Sequence, residues 1–392
     1  MLQKRIEREL ADVRAKGLTR RITDLQYEDA VTARDAAGKR FLVFSSNNYL
    51  GLTFDERVRR AASEAALRCG SGSTGARLTT GGVTEASALE RDLARFKHGE
   101  AALLFNTGYM TNLGVLYGLA RPGDVIFSDE LNHASIIDGC RISKAKVVVY
   151  KHKDAADLEA KLQSVQAAPG GVRFIVTDGV FSMDGDICDL PALVHLKEQY
   201  GCLLMVDDAH AVGVIGADGA GTASYYHLPG TIDLQVGTLS KSLASVGGYV
   251  VARASIIEYL KNKSRPFIFS TFLSPADVAA AHAALQILEQ EAPRLMARLA
   301  RNTQIVRQGL QDAGIPVIPG DTPIVPVLVG EAERATAIDF KLREAGILLS
   351  AIRPPTVAPG ASRLRFTVTA GHAEEQLRRA VAKLIEVWNE TR

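Results

Sequence analysis

Between residues 101 and 238 apolar runs alternate with helix-length segments, and this alternation limits the possible folds more than any other feature of the chain. Apolar runs bounded by turn residues occur at 101–105, 125–127, 147–150, 174–177, 203–206 and 232–236. They are apolar throughout, as expected of strands covered on both faces. Segments with helical periodicity, such as 158–165 and 190–200, lie between several of them, so the pattern reads as βαβ units feeding a parallel sheet. From about residue 275 the texture changes to long helical segments through 311. A strand-like run at 324–329, a helix near 335–345, strand candidates at 347–351 and 364–368 and a last helix at 373–388 follow. Near the start, Ile6, Leu10 and Val13 sit at i, i+4, i+7 spacing among charges, predicting an amphipathic helix over 2–16 that lies on the protein's own body or on a partner. The expected architecture is α/β: an arm over 1–50, a large domain with a mainly parallel central sheet over 51–285, and a smaller α+β domain over 286–392.

Composition removes several function classes. Lysine plus arginine exceeds aspartate plus glutamate by only 46 − 44 = 2 in 392 residues, so no broad field recruits nucleic acid or an anionic membrane. No apolar run reaches the ~20 residues of a spanning helix. The acidic Glu7, Glu9 and Asp12 argue against a transit peptide, and the expected location is cytoplasmic. Cys69, Cys140, Cys188 and Cys202 are scattered without a CxxC pair, which suits buried thiols in a reducing compartment better than zinc ligands or a disulfide framework.

In an open α/β sheet ligands bind beyond the carboxyl ends of the strands, and here those ends are polar. The first run leads into Asn106-Thr107-Gly108-Tyr109 and a helix start. Later ones lead into Ser128 to His133, Asp178 to Ser182, Asp207-Asp208-Ala209-His210 and Gly237 to Ser242. Each feature has an ordinary reading: Gly108 as a tight turn, Asp207 as a helix cap, Lys241 as a surface charge. Lone histidines such as His98, His195 and His282 read as structural. A helix-start glycine for a phosphate, a carboxylate and a lysine gathered in one crevice, however, match the needs of pyridoxal 5′-phosphate (PLP). The cofactor's aldehyde takes a lysine amine, its pyridine nitrogen an acid, and its phosphate a helix N-terminus. Asp207 suits the ring nitrogen because a buried carboxylate needs a cation, and Lys241 suits the aldehyde. His133 is placed to lie flat on the ring, and His210, three residues after Asp207, to reach its phenolic oxygen. Competing motifs fit less well. Residues 70–77, GSGSTGAR, lack the Lys-Ser/Thr of a nucleotide phosphate loop. Gly213, Gly216, Gly219 and Gly221 do not spell GxGxxG, and a metal centre from Asp207, Asp208, His210 and His133 lacks any metal-ligand spacing; no metal is expected.

From residue 45 to 372 the sequence resembles the α-oxoamine synthase family of fold-type I PLP enzymes. The resemblance rests on SSNNYLGL (45–52), FNTGYMTN (105–112), SDELNHASIIDG (128–139), DGVFSMDGD (178–186), VDDAHAVGVIG (206–216), GTLSKSLASVGGYV (237–250), FIFSTFLSP (267–275) and RPPTVAPGASRLRFTVTAGH (353–372), in the family's order. It implies that Lys241 carries the cofactor and is the catalytic base, with Asp207 and His133 as its catalytic partners. Gly108, Tyr109, Ser182, His210 and Thr238 would be cofactor contacts. Thr271 would reach the phosphate in a neighbouring subunit, which implies a homodimer with shared active sites. Arg365 would clamp the amino-acid carboxylate through its planar fork, with Asn47 beside the substrate.

The implied reaction condenses an amino acid with an acyl-CoA or acyl-carrier thioester, releasing carbon dioxide and the thiol. Members differ in substrates. RPPTV, SRLRFTVTA and SSNNYLGL are most similar to those using alanine and a pimeloyl thioester in biotin synthesis. GDVIFSDELNHASIIDG and RPFIFST also suit glycine with acetyl-CoA, and SKSLASVGGYV suits serine with a long acyl chain. For a pimeloyl chain ending in a free carboxylate, Arg20 or Arg21 in the arm is the candidate cation. The reading from a different class is a non-catalytic partner subunit, which would be expected to lack the lysine that stands at 241.

Overall fold

The computed structural model describes residues 1–15, 19 and 22–391. Residues 25–43 form three short strands, β1 (Leu25–Tyr27), β2 (Thr32–Asp35) and β3 (Arg40–Val43). The central sheet follows: β4 (Ala101–Phe105), β5 (Val125–Asp129), β6 (Lys146–Tyr150), β7 (Arg173–Asp178), β8 (Leu203–Asp207), β9 (Leu234–Thr238) and β10 (Gly248–Ala252). Its spatial order is β4-β10-β9-β8-β7-β5-β6. All pairings are parallel except those of β10, which runs antiparallel to both β4 and β9. Apart from the edge strand β6, these strands are buried nearly throughout, which explains why their sequences read as unbroken apolar runs. Two departures from the expected bounds follow from pairing. The strand expected at 232–236 runs to Thr238 because Thr238 is still opposite Gly248. Its expected first residues are turned to other work, with the Asp233 carboxylate accepting the Leu204 N–H at 2.8 Å.

The last third carries β11 (Ile324–Gly330), β12 (Ile347–Leu348), β13 (Ser350–Ile352) and β14 (Ser362–Thr367). The single strand expected at 347–351 is split. Ile347 and Leu348 pair parallel with β3, while β13 joins β14 and β11 in another sheet. One core therefore contains Val31, Leu42 and Phe44 together with Val325, Phe366 and Leu384. Residues 25–44, read from sequence as part of an arm, thus share a core with the C-terminal strands. The helix Pro275–Asp312 crosses the 285/286 boundary; its Leu285 and Leu288 pack with the large sheet's core and its Val306 and Leu310 with the C-terminal one. The amphipathic N-terminal helix is Leu2–Ala15, and none of its residues is buried. Cys140, Cys188 and Cys202 are buried thiols as expected, but Cys69 is exposed, because it ends the helix Glu56–Cys69, which buries only Val58 and Ala65. Among the described residues no helix is long and apolar enough to cross a membrane.

The glycine-rich stretches serve packing. A side chain on Gly81 would collide with the Gly75 carbonyl oxygen, which itself accepts the Phe272 N–H at 2.9 Å. Gly213, Gly216, Gly219 and Gly221 all carry positive φ, and they lead the chain around Asp208. The Asp208 carboxylate is wholly buried, 2.6 Å from the equally buried Lys97 Nζ, and accepts from the Thr222 N–H and hydroxyl. Removing one member of such a pair strands the other charge away from water. Lys97→Ala should therefore lower unfolding stability by about 3–5 kcal/mol, measured by urea denaturation. A change below about 1 kcal/mol would show that Asp208 is not held by this pair.

Candidate active site

Parallel pairing brings the carboxyl ends of β5, β7, β8 and β9 to one edge of the sheet, and Asp178 is directly opposite Asp207 in the register. At this edge opens a cavity of about 200 Å3 lined by Gly108, Tyr109, His133, Ser182, Asp207, His210, Thr238 and Lys241. Eight of the residues singled out from sequence thus meet around one space.

Each wall has a local cause. Thr107 caps the helix Gly108–Leu119 by accepting the Met110 N–H, and the N–H groups of Gly108 and Tyr109, in the first turn, have no helical carbonyl to bond. Asp207, buried at the end of β8, accepts from Asn112 Nδ2 at 2.6 Å and from the Ala209 N–H at 2.9 Å. Asp208 follows it on the other face of the strand and is held by Lys97, so it takes no part in the cavity. His133 caps the helix Ala134–Ser143: its Nδ1 accepts the Ser135 N–H at 3.2 Å and lies 2.7 Å from the Ser135 hydroxyl. Desolvation lowers its pKa, with Asp207 opposing and Lys241 adding to the shift, so the ring stays neutral. His210 Nδ1 lies 2.6 Å from the Tyr49 hydroxyl, and burial together with Lys241 and Arg365 holds this imidazole neutral as well. Thr238 donates to the Gly247 carbonyl at 2.9 Å and stands 2.7 Å from the Ser240 hydroxyl.

The two carboxylates and the lysine set the electrostatics. Burial and the neighbouring Asp207 push Asp178 well above the usual carboxylate range, while the His133 N–H donates to it at 2.8 Å. Burial brings Lys241 down to about 8 although Asp207 and Asp178 oppose that shift.

Beside the cavity lies Arg365, buried on β14. Its Nε donates to the Ser182 carbonyl at 2.6 Å, and its Nη1 donates to Asn47 Oδ1 at 3.1 Å and Thr367 Oγ1 at 2.9 Å. Nη2 makes a 3.4 Å contact with the Tyr49 hydroxyl, and among the described residues no carboxylate pairs with this guanidinium. Tyr49 thus links His210 to Arg365, a role that the motif SSNNYLGL did not disclose because the link forms only when distant segments meet. Asn112 and Ser135 were also missed as parts of the site: Asn112 Nδ2 donates to both the Ser135 hydroxyl and Asp207. Their sequence signal was the helix spacing, with Asn112 one turn beyond Gly108. Thr271 does not line the cavity; it is exposed, and its carbonyl accepts from Asn106 Nδ2. Arg20 and Arg21 lie outside the described residues.

The donor set fits a flat phosphorylated pyridine aldehyde. The first-turn N–H groups suit an anion, the buried Asp207 a cationic ring nitrogen, and Lys241 an aldehyde. The aminotransferase class I and II family matches residues 39–384, and the chain belongs to it. Within that family it is 46% identical over 388 residues to the 8-amino-7-oxononanoate synthase of Lysinibacillus sphaericus, covering 98% of each chain. It is 48% identical over 383 residues to that of Geobacter sulfurreducens, covering 97% of each. Among solved structures, a serine palmitoyltransferase from S. paucimobilis with bound PLP-myriocin superposes with a TM-score of 0.92 at 30% identity, over 98% of this chain and 97% of that one.

A lysine brought to about 8 is about a tenth neutral at pH 7, whereas an ordinary lysine is neutral in about one molecule in 3,000. The rate at which cofactor-free protein takes up PLP at Lys241 should therefore rise with pH and level off above about 8. Stopped-flow absorbance measures it, and a midpoint near 10.5 would contradict the electrostatics described for Lys241.

Proposed function

We propose that this chain is a PLP-dependent 8-amino-7-oxononanoate synthase: it condenses L-alanine with a pimeloyl thioester, releasing carbon dioxide and the thiol, in biotin synthesis. The observation that carries the reading is Arg365, a buried guanidinium with no carboxylate partner among the described residues, set between Asn47 and Ser182 beside Lys241. Such a charge is costly to leave unpaired, and the carboxylate of an amino acid is the partner that its fork fits. The full-length identity to the two synthases supports the choice of substrates.

In this reading Gly108 and Tyr109 would hold the phosphate, Asp207 would keep the proton on the ring nitrogen, and His133, His210, Ser182 and Thr238 would complete its seat. When bound, PLP supplies the electron sink for charge developing at the amino acid's Cα. Lys241 Nζ takes the Cα proton, a role that a lowered pKa favours at working pH. The Cα then bonds to the thioester carbonyl carbon as the thiolate leaves. Loss of the alanine carboxylate as carbon dioxide follows, and Lys241 returns a proton to Cα. Arg365 orients the alanine and Asn47 steadies the guanidinium. Residues 51–285 serve as the cofactor domain, and the C-terminal domain supplies Arg365. The working unit is a homodimer: Thr271 is exposed and does not line its own cavity, and the nearby Phe269 is 70% exposed, a surface that a second subunit would cover.

Steady-state kinetics with pure substrate pairs test the proposal. Alanine with pimeloyl-CoA should exceed glycine with acetyl-CoA in kcat/KM. The alanine methyl alone accounts for only roughly 10- to 200-fold, so the acyl chain is the sharper discriminator. A clear preference for glycine with acetyl-CoA would move the chain to the other branch of the family, and inactivity with every pair despite a loaded cofactor would favour a partner subunit.

A further inference from the structure

Loop 181–187 joins the cavity to the C-terminal part of the chain at three points. The Ser182 carbonyl accepts from Arg365, Asp184 pairs with Arg363, and the Gly185 carbonyl accepts from the Thr322 hydroxyl at 2.6 Å, while Ile187 bridges back to Val180. A further contact fixes the loop to the central sheet. His152, just beyond β6, sets Nε2 2.9 Å from the Asp186 carboxylate and Nδ1 3.0 Å from that of Asp129 at the end of β5. Its ring meets Phe181 edge-on at 4.4 Å. The neighbouring Lys153 reaches Asp186 at 3.0 Å through Nζ and donates its N–H to Asp129 at 3.0 Å.

Both ring nitrogens face carboxylates, so both donate, and the ring is an imidazolium. Burial alone would lower its pKa, but the hydrogen bonds it donates to Asp129 and Asp186 outweigh it and raise the value to about 9. A planar ring with two fixed donor directions ties the loop to the strand end in one geometry, which a flexible lysine does not do. None of these three side chains lines the cavity.

We propose that His152 is a positioning residue for amino-acid binding: clamped between Asp129 and Asp186, it holds loop 181–187 so that the Ser182 carbonyl aims Arg365 at the substrate carboxylate. The inference rests on the reading of Arg365 as the carboxylate clamp.

The test compares L-alanine with L-alaninamide, which lacks the carboxylate, each titrated into the PLP-loaded enzyme and followed by cofactor absorbance. His152→Gln keeps the size and one donor but loses the charge. It should weaken alanine by about 3- to 30-fold and leave alaninamide within about twofold. Asp186→Asn removes only the loop end of the clamp and should give the same contrast. Equal weakening of both ligands, or no change in either variant, would overturn the proposal. Arg365→Lys separates the two levels: if it binds alanine as tightly as the wild type, the clamp reading itself fails, whereas a loss there without a loss in the His152 and Asp186 variants overturns the role of His152 alone.

Discussion

The structure depends on the opposition of Asp178 and Asp207 at the carboxyl ends of adjacent parallel strands. Burial and the neighbouring Asp207 make it costly for Asp178 to carry a second charge, which is why Asp178 is driven well above the usual range. The surroundings are arranged to make that tension useful. Asn112 and the Ala209 N–H fix the Asp207 oxygens, the His133 N–H takes Asp178, and Lys241 is the nearby lysine whose charge both carboxylates favour. A cationic ring placed against Asp207 would relieve the same tension.

That arrangement is backed from behind. Asp208, next to Asp207, points the other way into the Lys97 pair, and the positive-φ glycines at 213–221 carry the chain around it. Beside the cavity, Tyr49 and Arg365 connect residues from the beginning and end of the chain to His210 and Ser182. The proposed cofactor seat is built within the central sheet, whereas the proposed substrate clamp is assembled across the two cores.

The parallel sheet and most of the cavity were legible in the sequence because both are written locally. Apolar runs mark β4 to β9, and the polar residues that follow each run must gather at one edge once the strands are parallel. The antiparallel β10, the short β2 and β3 and the split between β12 and β13 were not legible. Their pairings join segments as much as 347 − 42 = 305 residues apart, as in Leu42 with Ile347, and two to five residues are too few to carry a period. Tyr49, Asn112 and His152 escaped for a related reason: each acts through a partner that only the folded chain brings within reach. Asp208 illustrates the reverse case, a carboxylate adjacent to the site in sequence and turned away from it by the alternation of a strand.

The central claim is that PLP attaches at the cavity where Lys241 stands near Asp207. Reducing the loaded enzyme with borohydride and mapping the labelled peptide tests it most directly. A single phosphopyridoxyl label on Lys241 is the predicted result. A label on any other lysine, with Lys241 unmodified, would contradict the account.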